Sequence, residues 1–342
     1  MLALVKFEAA PGKVELREVP EPVAKAGDVK IAVRATGICG TDIHHYDNEY
    51  PSRPPVVLGH EVAGTIVEVG SDVATLHVGD RVTATPFAVT CGRCRYCREG
   101  EVGLCPERIA FGSFMDGAFA PYLVLPAGAV LRLPDNATYE VGAMSEPLAN
   151  GVKAVCEASH IVPGDVVLVM GPGPIGMLAG LLAKAQGATV VMVGTSADAQ
   201  RLETAGSLGI DCTLRVDTDD VPRAVDGLTH GEGAALVLEC SGAPQAVNAA
   251  FPLVRKHGQI TQMGLAGKPF EVAYDQIVMR DIRVVGSFGN SLRSWKRVLE
   301  LLRDEALPLA ALVSAVLPLS RWEEAFAMVR RKDGMKVMLR PD

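Results

Sequence analysis

Four cysteines fall within fifteen residues of the chain: Cys91, Cys94, Cys97 and Cys105 in "CGRCRYCREGEVGLC". Their spacing is C-x2-C-x2-C-x7-C. Two-residue gaps let neighbouring thiolates converge on one small ion, and the longer excursion returns a fourth sulfur for tetrahedral closure. A zinc ion held by four sulfurs has no open position, so such a site is structural. The loop has little apolar material of its own, and metal binding should be coupled to its folding. A disulfide knot, a nucleic-acid-binding finger and a set of unrelated thiols are the competing readings.

A second set is scattered. Cys39 lies in "GICGTDIHHY", His60 and Glu61 in "VVLGHEVAG", and Glu146 in "MSEPLANG". A thiolate, an imidazole and one or two carboxylates make a mixed zinc site with room for water or substrate, which is the catalytic type. Taken singly, each has an ordinary explanation. Cys39 reads as a small buried hydrophobe, His60–Glu61 as a satisfied polar pair, and Glu146 as a charge at a helix N-terminus.

A third signal is "VVLVMGPGPIG". It sets Gly171, Gly173 and Gly176 directly after a strand, with Pro174 and Ile175 opening a helix. The first glycine permits the tight turn, the second lets a pyrophosphate approach the backbone, and the third allows close helix–strand packing. The helix N-terminus offers amides and a positive dipole end to the phosphates. An acid about twenty positions on should grip a free ribose hydroxyl if the cofactor is NAD. Here the strand ends "VMVGTSADAQR", with Gly194, Thr195 and Ser196 at its tip and Asp198 later. Two hydroxyls and Arg201 without an acid at the tip suit the 2′-phosphate of NADP. The opposing reading turns Asp198 back to the ribose of NAD. The balance tips slightly toward NADP.

These residues need a scaffold. A chain of 342 residues, 49% hydrophobic, is long enough for two cored domains. Residues 1–150 are dense in Val, Gly and Pro, with short alternating runs such as "VKIAVRATG" that predict a β-rich domain. Residues 151–286 alternate apolar strands ("DVVLVMG", "TVVMVG", "GAALVLECSG", "GQITQMG") with helix-like stretches. That pattern predicts an α/β unit with a parallel sheet covered on both faces. Residues 287–342 open with an amphipathic helix, "SWKRVLELLRDE", and are expected to complete the first domain.

The net charge is −7, with no basic block, so nucleic acid and anionic membrane are poor partners. The N-terminus lacks a basic region followed by an apolar one, and no apolar run reaches spanning length. A cytoplasmic protein is expected, where thiols stay reduced, and this disfavours the disulfide knot.

Taken together, "GICGTDIHHY", "GHEVAGTIVEVGSDVATLHVGDRV", the four-cysteine lobe, "DGAFAPYLVLP", "SEPLANG" and "GPGPIG" resemble the zinc-containing medium-chain dehydrogenase/reductase family, in its polyol (sorbitol/L-iditol) and threonine dehydrogenase branch. The resemblance spans the whole chain. It implies a GroES-like first domain and a Rossmann coenzyme domain. It also implies two zinc ions per chain and interconversion of a secondary alcohol and its ketone by hydride transfer to NAD(P). A polyol, sugar acid or hydroxy-amino acid is the implied substrate class. In this branch the third protein ligand is the Glu beside the His, with the second Glu binding directly or through water. Cys39, His60, Glu61 and Glu146 match.

The resemblance further makes Thr41 the start of a proton relay and His44 its far end, with Asp42 orienting the metal cysteine or histidine. His45, Tyr46, Asn48, Phe111, Phe288 and Asn290 become pocket residues. Polyol members often carry Arg–Tyr where this chain has Gly289–Asn290, which argues against sorbitol itself. The lobe is expected near subunit contacts of a homodimer or homotetramer. Cys156, Cys212 and Cys240 read as core fillers, Trp295 and Trp322 as packing anchors. His77, His160, His230 and His257 read as turn or surface residues. The alternative to an enzyme is a nucleotide-binding sensor or scaffold of the same fold that has lost catalysis.

Overall fold

The computed structural model describes all 342 residues. The chain divides into two compact units, Met1–Glu146 with Asn290–Asp342, and Pro147–Gly289. No helix is long and apolar enough to cross a membrane.

The first unit is built on strand Asp28–Gly37, whose "VKIAV" run is almost wholly buried. Three strands pair with it, all antiparallel: Glu61–Val69, Tyr122–Pro126 and Lys336–Arg340. Arg81–Ala84, Val130–Arg132 and Val313–Pro318 extend the sheet to seven strands. Val29, Ile31, Val33, Ile66, Val82, Leu123 and Leu125 fill its core. The C-terminal segment therefore supplies two strands as well as helices Leu292–Arg303 and Trp322–Arg331. A smaller sheet, Val14–Glu18, Leu2–Lys6 and Val56–Val57, lies beside a second core of Leu4, Leu58, Phe119, Trp322 and Phe326.

The second unit holds six parallel strands: Val166–Met170, Thr189–Gly194, Cys212–Arg215, Ala234–Glu239, Val254–Gln262 and Arg283–Gly286. Counted in chain order they lie 3-2-1-4-5-6, the order of dinucleotide-binding Rossmann sheets. Helices Pro174–Ala185, Ala199–Ser207, Val221–Thr229 and Pro244–Leu253 alternate with them. The order reverses between the first and fourth strands, which is where such folds bind ligands.

Candidate functional site

Strand register creates the open centre. Gly37 stands opposite Glu61 in the antiparallel pair. Cys39 lies just beyond one strand and His60 just before its partner, so the two meet at the same end. Gly37 has no substitute here: a Cβ on it would fall 1.9 Å from Glu61 Oε2. On the other flank Met338 stands opposite Gly37, which carries Lys336 to the same end of the sheet.

The spelling C-G-T-D also has a local reason. Cys39 caps the helix Gly40–Tyr46, and Asp42 at its third position accepts the Cys39 amide at 2.8 Å. The other Asp42 oxygen, Oδ1, stands 3.6 Å from His60 Nδ1. Burial opposes charge on both partners, yet their mutual attraction prevails. Asp42 is held below the usual carboxylate range, and His60 is raised well above that of a free imidazole. Asp42 thus orients the Cys39 backbone and faces His60 at once, as a supporting carboxylate of a metal centre does.

One donor atom each from Cys39, His60 and Glu61 lie within 4.8 Å of one another, and Glu146 is outside that tight set. Glu61 is fully buried. A thiol, an imidazole and a carboxylate suit zinc. Metal binding there would require the neutral imidazole of His60, so affinity would fall as pH falls.

Lys336 was not legible as a site residue. It is 3% exposed, donates to Glu61 Oε1 at 2.6 Å and to the Ile38 carbonyl at 3.0 Å, and stands 2.5 Å from Glu61 Oε2. Burial lowers its pKa, but the charges of Glu61, Cys39 and Glu146 outweigh that and raise it. The available signal was a lysine starting the otherwise apolar strand "KVML".

Thr41 stands beside the ligands, its Oγ1 3.7 Å from Cys39 Sγ. His44 is exposed and pairs with Glu49 at 2.9 Å. The residues expected to line the pocket lie as follows. His45 is fully buried, its Nε2 2.9 Å from Ser113 Oγ, and burial lowers its pKa. Tyr46 packs its ring against Trp322 and Phe326, inside the second core. Asn290 is fully buried and donates to Glu146 Oε1 at 3.2 Å. Phe111 is likewise a core residue and Asn48 an exposed turn residue with positive φ. Phe288 belongs to the second unit, where its carbonyl accepts from Lys153 Nζ at 3.1 Å.

The four-cysteine lobe gathers as its spacing predicts. Sulfurs of Cys91, Cys94, Cys97 and Cys105 lie within 4.8 Å of one another, with Cys91 and Cys97 3.9 Å apart. Backbone amides point at three of them: Cys105 accepts from Cys91 at 3.4 Å, Cys91 from Cys94 at 3.3 Å, and Cys94 from Cys97 at 3.4 Å. The amides of Arg93 and Cys94 bring the Cys91 thiol down to about 6. Cys94, despite the Cys97 amide, is pushed up to about 11 by burial and the neighbouring thiols. A divalent cation would balance the charge of thiolates gathered this closely. Cys156, by contrast, is exposed rather than a core filler.

In the second unit the glycine turn is sterically enforced. Gly171 has φ +101 and packs on Ser241, and a Cβ on Gly176 would meet the Gly171 carbonyl at 1.9 Å. Gly173 caps the helix that Pro174 and Ile175 open. A Cβ on Gly173 would lie 4.0 Å from Arg201 Nη1, which puts that guanidinium beside the turn. Asp198 Oδ2 accepts both the Thr195 amide, at 3.1 Å, and the Thr195 hydroxyl, at 2.8 Å. The Ser196 amide bonds Asp217, at 2.9 and 3.1 Å.

Known proteins share this arrangement. The family profile described as "Alcohol dehydrogenase GroES-like domain" matches residues 25–135, and that described as "Zinc-binding dehydrogenase" matches 174–304. The chain is 40% identical over 342 residues to a sorbitol dehydrogenase of Halalkalibacterium halodurans, covering 100% of this chain and 99% of the relative. It is 40% identical to the D-arabitol-phosphate dehydrogenase of Enterococcus avium, over 96% of this chain and 95% of that one. A zinc-binding dehydrogenase of Sinorhizobium meliloti, solved with NADP bound, superposes with a TM-score of 0.92 at 32% identity over 99% of both chains. None of these findings supports an inactive scaffold. With strand order, glycine turn and both ligand clusters in agreement, the chain belongs to the zinc-containing medium-chain dehydrogenase/reductase family and is an alcohol dehydrogenase of its polyol and threonine dehydrogenase branch.

Proposed function

We propose that the protein interconverts a secondary alcohol of a small polar substrate and its ketone, at a centre formed by Cys39, His60, Glu61 and Glu146. Polyols come first among the candidate substrates, followed by sugar acids and hydroxy-amino acids. The observation that carries the reading is the buried convergence of donor atoms from Cys39, His60 and Glu61 within 4.8 Å of one another. Zinc bound there supplies a Lewis acid that brings a hydroxyl pKa toward neutrality.

The chain's own residues do the remainder. Thr41, beside Cys39, is the inner end of a proton path, and exposed His44, paired with Glu49, is the outer end. Lys336 offsets the negative charge that Cys39, Glu61 and Glu146 accumulate. Gly171, Gly173 and Gly176 leave room for the pyrophosphate of a nicotinamide dinucleotide. NADP is favoured over NAD because Asp198 is engaged by Thr195 while Arg201 stands beside the glycine turn. A second zinc ion staples the cysteine lobe. A cytoplasmic homodimer or homotetramer is in keeping with the resemblance.

The test is the initial rate of nicotinamide absorbance change across alditols, sugar acids, threonine and simple secondary alcohols, each with NAD and with NADP. Turnover of a polyol, with the higher kcat/KM on NADP, is expected. Silence with two zinc ions per chain would reject the substrate classes; silence with one would reject the centre itself.

A further inference from the structure

Asn290 precedes a helix whose start is written in the sequence. Ser291 caps it, accepting the Ser294 amide at 3.0 Å, and Ser294 Oγ accepts the Ser291 amide at 2.9 Å. Asn290 and Trp295 then occupy the positions before the cap and four residues into the helix. Apolar side chains often touch across that pair and fix the entry angle of the chain. Here the contact is polar: the Trp295 indole donates to Asn290 Oδ1 at 2.9 Å. Both residues are buried, and Thr85 Oγ1 is the other donor near that oxygen, at 3.5 Å.

The indole nitrogen can only donate. The amide atom facing it must be oxygen, which leaves the Asn290 NH2 toward Glu146 Oε1, 3.2 Å away. A flipped amide would set a carbonyl against the Glu146 carboxyl oxygen and a donor against the indole N–H. Both contacts would be repulsive in a site without water access. One tryptophan hydrogen thus selects the amide orientation, and the amide selects the oxygen by which Glu146 is held.

We propose that Trp295 and Asn290 form a polar staple that positions Glu146 toward the Cys39–His60–Glu61 centre. The proposal rests on the reading of that centre as a metal site. Both act as positioning residues, through Glu146. Partners of this kind typically tune metal affinity by 10- to 100-fold.

The test uses the full chain with the open centre loaded with cobalt(II), and reads the cobalt absorption bands and the metal affinity in competition with a chelator. Trp295→Phe keeps an aromatic ring and removes only the N–H; Asn290→Leu keeps the bulk and removes the hydrogen bonds of the Asn290 amide, those to Trp295 and Glu146 included. Each is expected to shift the cobalt bands and weaken metal binding at the open centre by about tenfold or more. The ion of the cysteine lobe should stay in place as an internal control. Unchanged bands and affinity in both variants, even with a lowered melting temperature, would overturn the staple and leave only a packing role. If Trp295→Phe does not fold, Asn290→Leu decides by the same readout. A wild-type chain that binds only the lobe ion would sink the metal-site reading, and the staple with it, before any variant is made.

Discussion

The two ligand clusters of this protein are built on opposite principles. The cysteine lobe draws all its ligands from residues 91–105, and its helix Arg95–Glu99 buries no residue. The open centre draws on Cys39, His60 and Glu61, with Lys336 and Glu146 beside them, and Glu61 and Lys336 are closed off from solvent. One is a short loop with no core of its own; the other is the meeting point of three adjacent strands. A loop of this kind would take its shape from a bound ion, whereas the sheet shapes the centre without one. Where ligands are close in sequence a metal can organise the chain, and where they are distant the chain organises the metal.

Four variants would break or sharpen this contrast. The largest effect is expected from Cys39→Ala. Turnover should fall by about a thousandfold or more, because several kcal/mol of charge stabilisation leaves with the ion. Metal analysis should still find one ion per chain and a nearly unchanged melting temperature; loss of both ions would merge the two sites. Next comes Lys336→Met. Removing one partner of a buried ion pair leaves an uncompensated charge, at a cost of about 3–5 kcal/mol in denaturant unfolding of the metal-free protein. A cost under about 1 kcal/mol would show that Glu61 does not need its cation. Cys97→Ser should invert the Cys39→Ala result, losing the lobe ion and lowering the melting temperature by about 5 °C or more while the open centre keeps its metal. An unaltered melting temperature would argue against a structural staple. Arg93→Ala comes last. It deletes the lobe's exposed ion pair to Glu107, at 3.1 Å, and should leave the melting temperature within experimental error. A clear drop would show that the lobe leans on side-chain contacts as well as on its ion.

Much of this was legible because its signals are local. The strand–turn–helix spelling "VVLVMGPGPIG" declares the dinucleotide unit, and C-x2-C-x2-C-x7-C declares the lobe, since neighbours in sequence are neighbours in space. The gathering of Cys39, His60 and Glu61 was also readable, because each sits in a distinctive short motif. What escaped depends on distant strands coming together. Lys336 meets Glu61 only because their strands flank Asp28–Gly37, 275 residues apart in sequence. His45 and Tyr46 read as pocket residues beside the metal cysteine. The helix instead turns His45 inward to Ser113 and Tyr46 onto Trp322 and Phe326. Asn290 reads as a substitute for a substrate-binding pair, and only the indole of Trp295 reveals its other orientation.

The bond between Asn290 and Glu146 has a topological consequence. Glu146 closes the first segment of its unit and Asn290 opens the second, so the side chains flanking the whole stretch 147–289 touch at 3.2 Å. A stretch that leaves and re-enters a fold at adjacent points behaves as an inserted cassette. It can be lengthened, trimmed or exchanged by recombination without unthreading the sheet that carries Cys39, His60 and Glu61. Selection on the dinucleotide partner and selection on the metal chemistry therefore act on separable pieces of the gene.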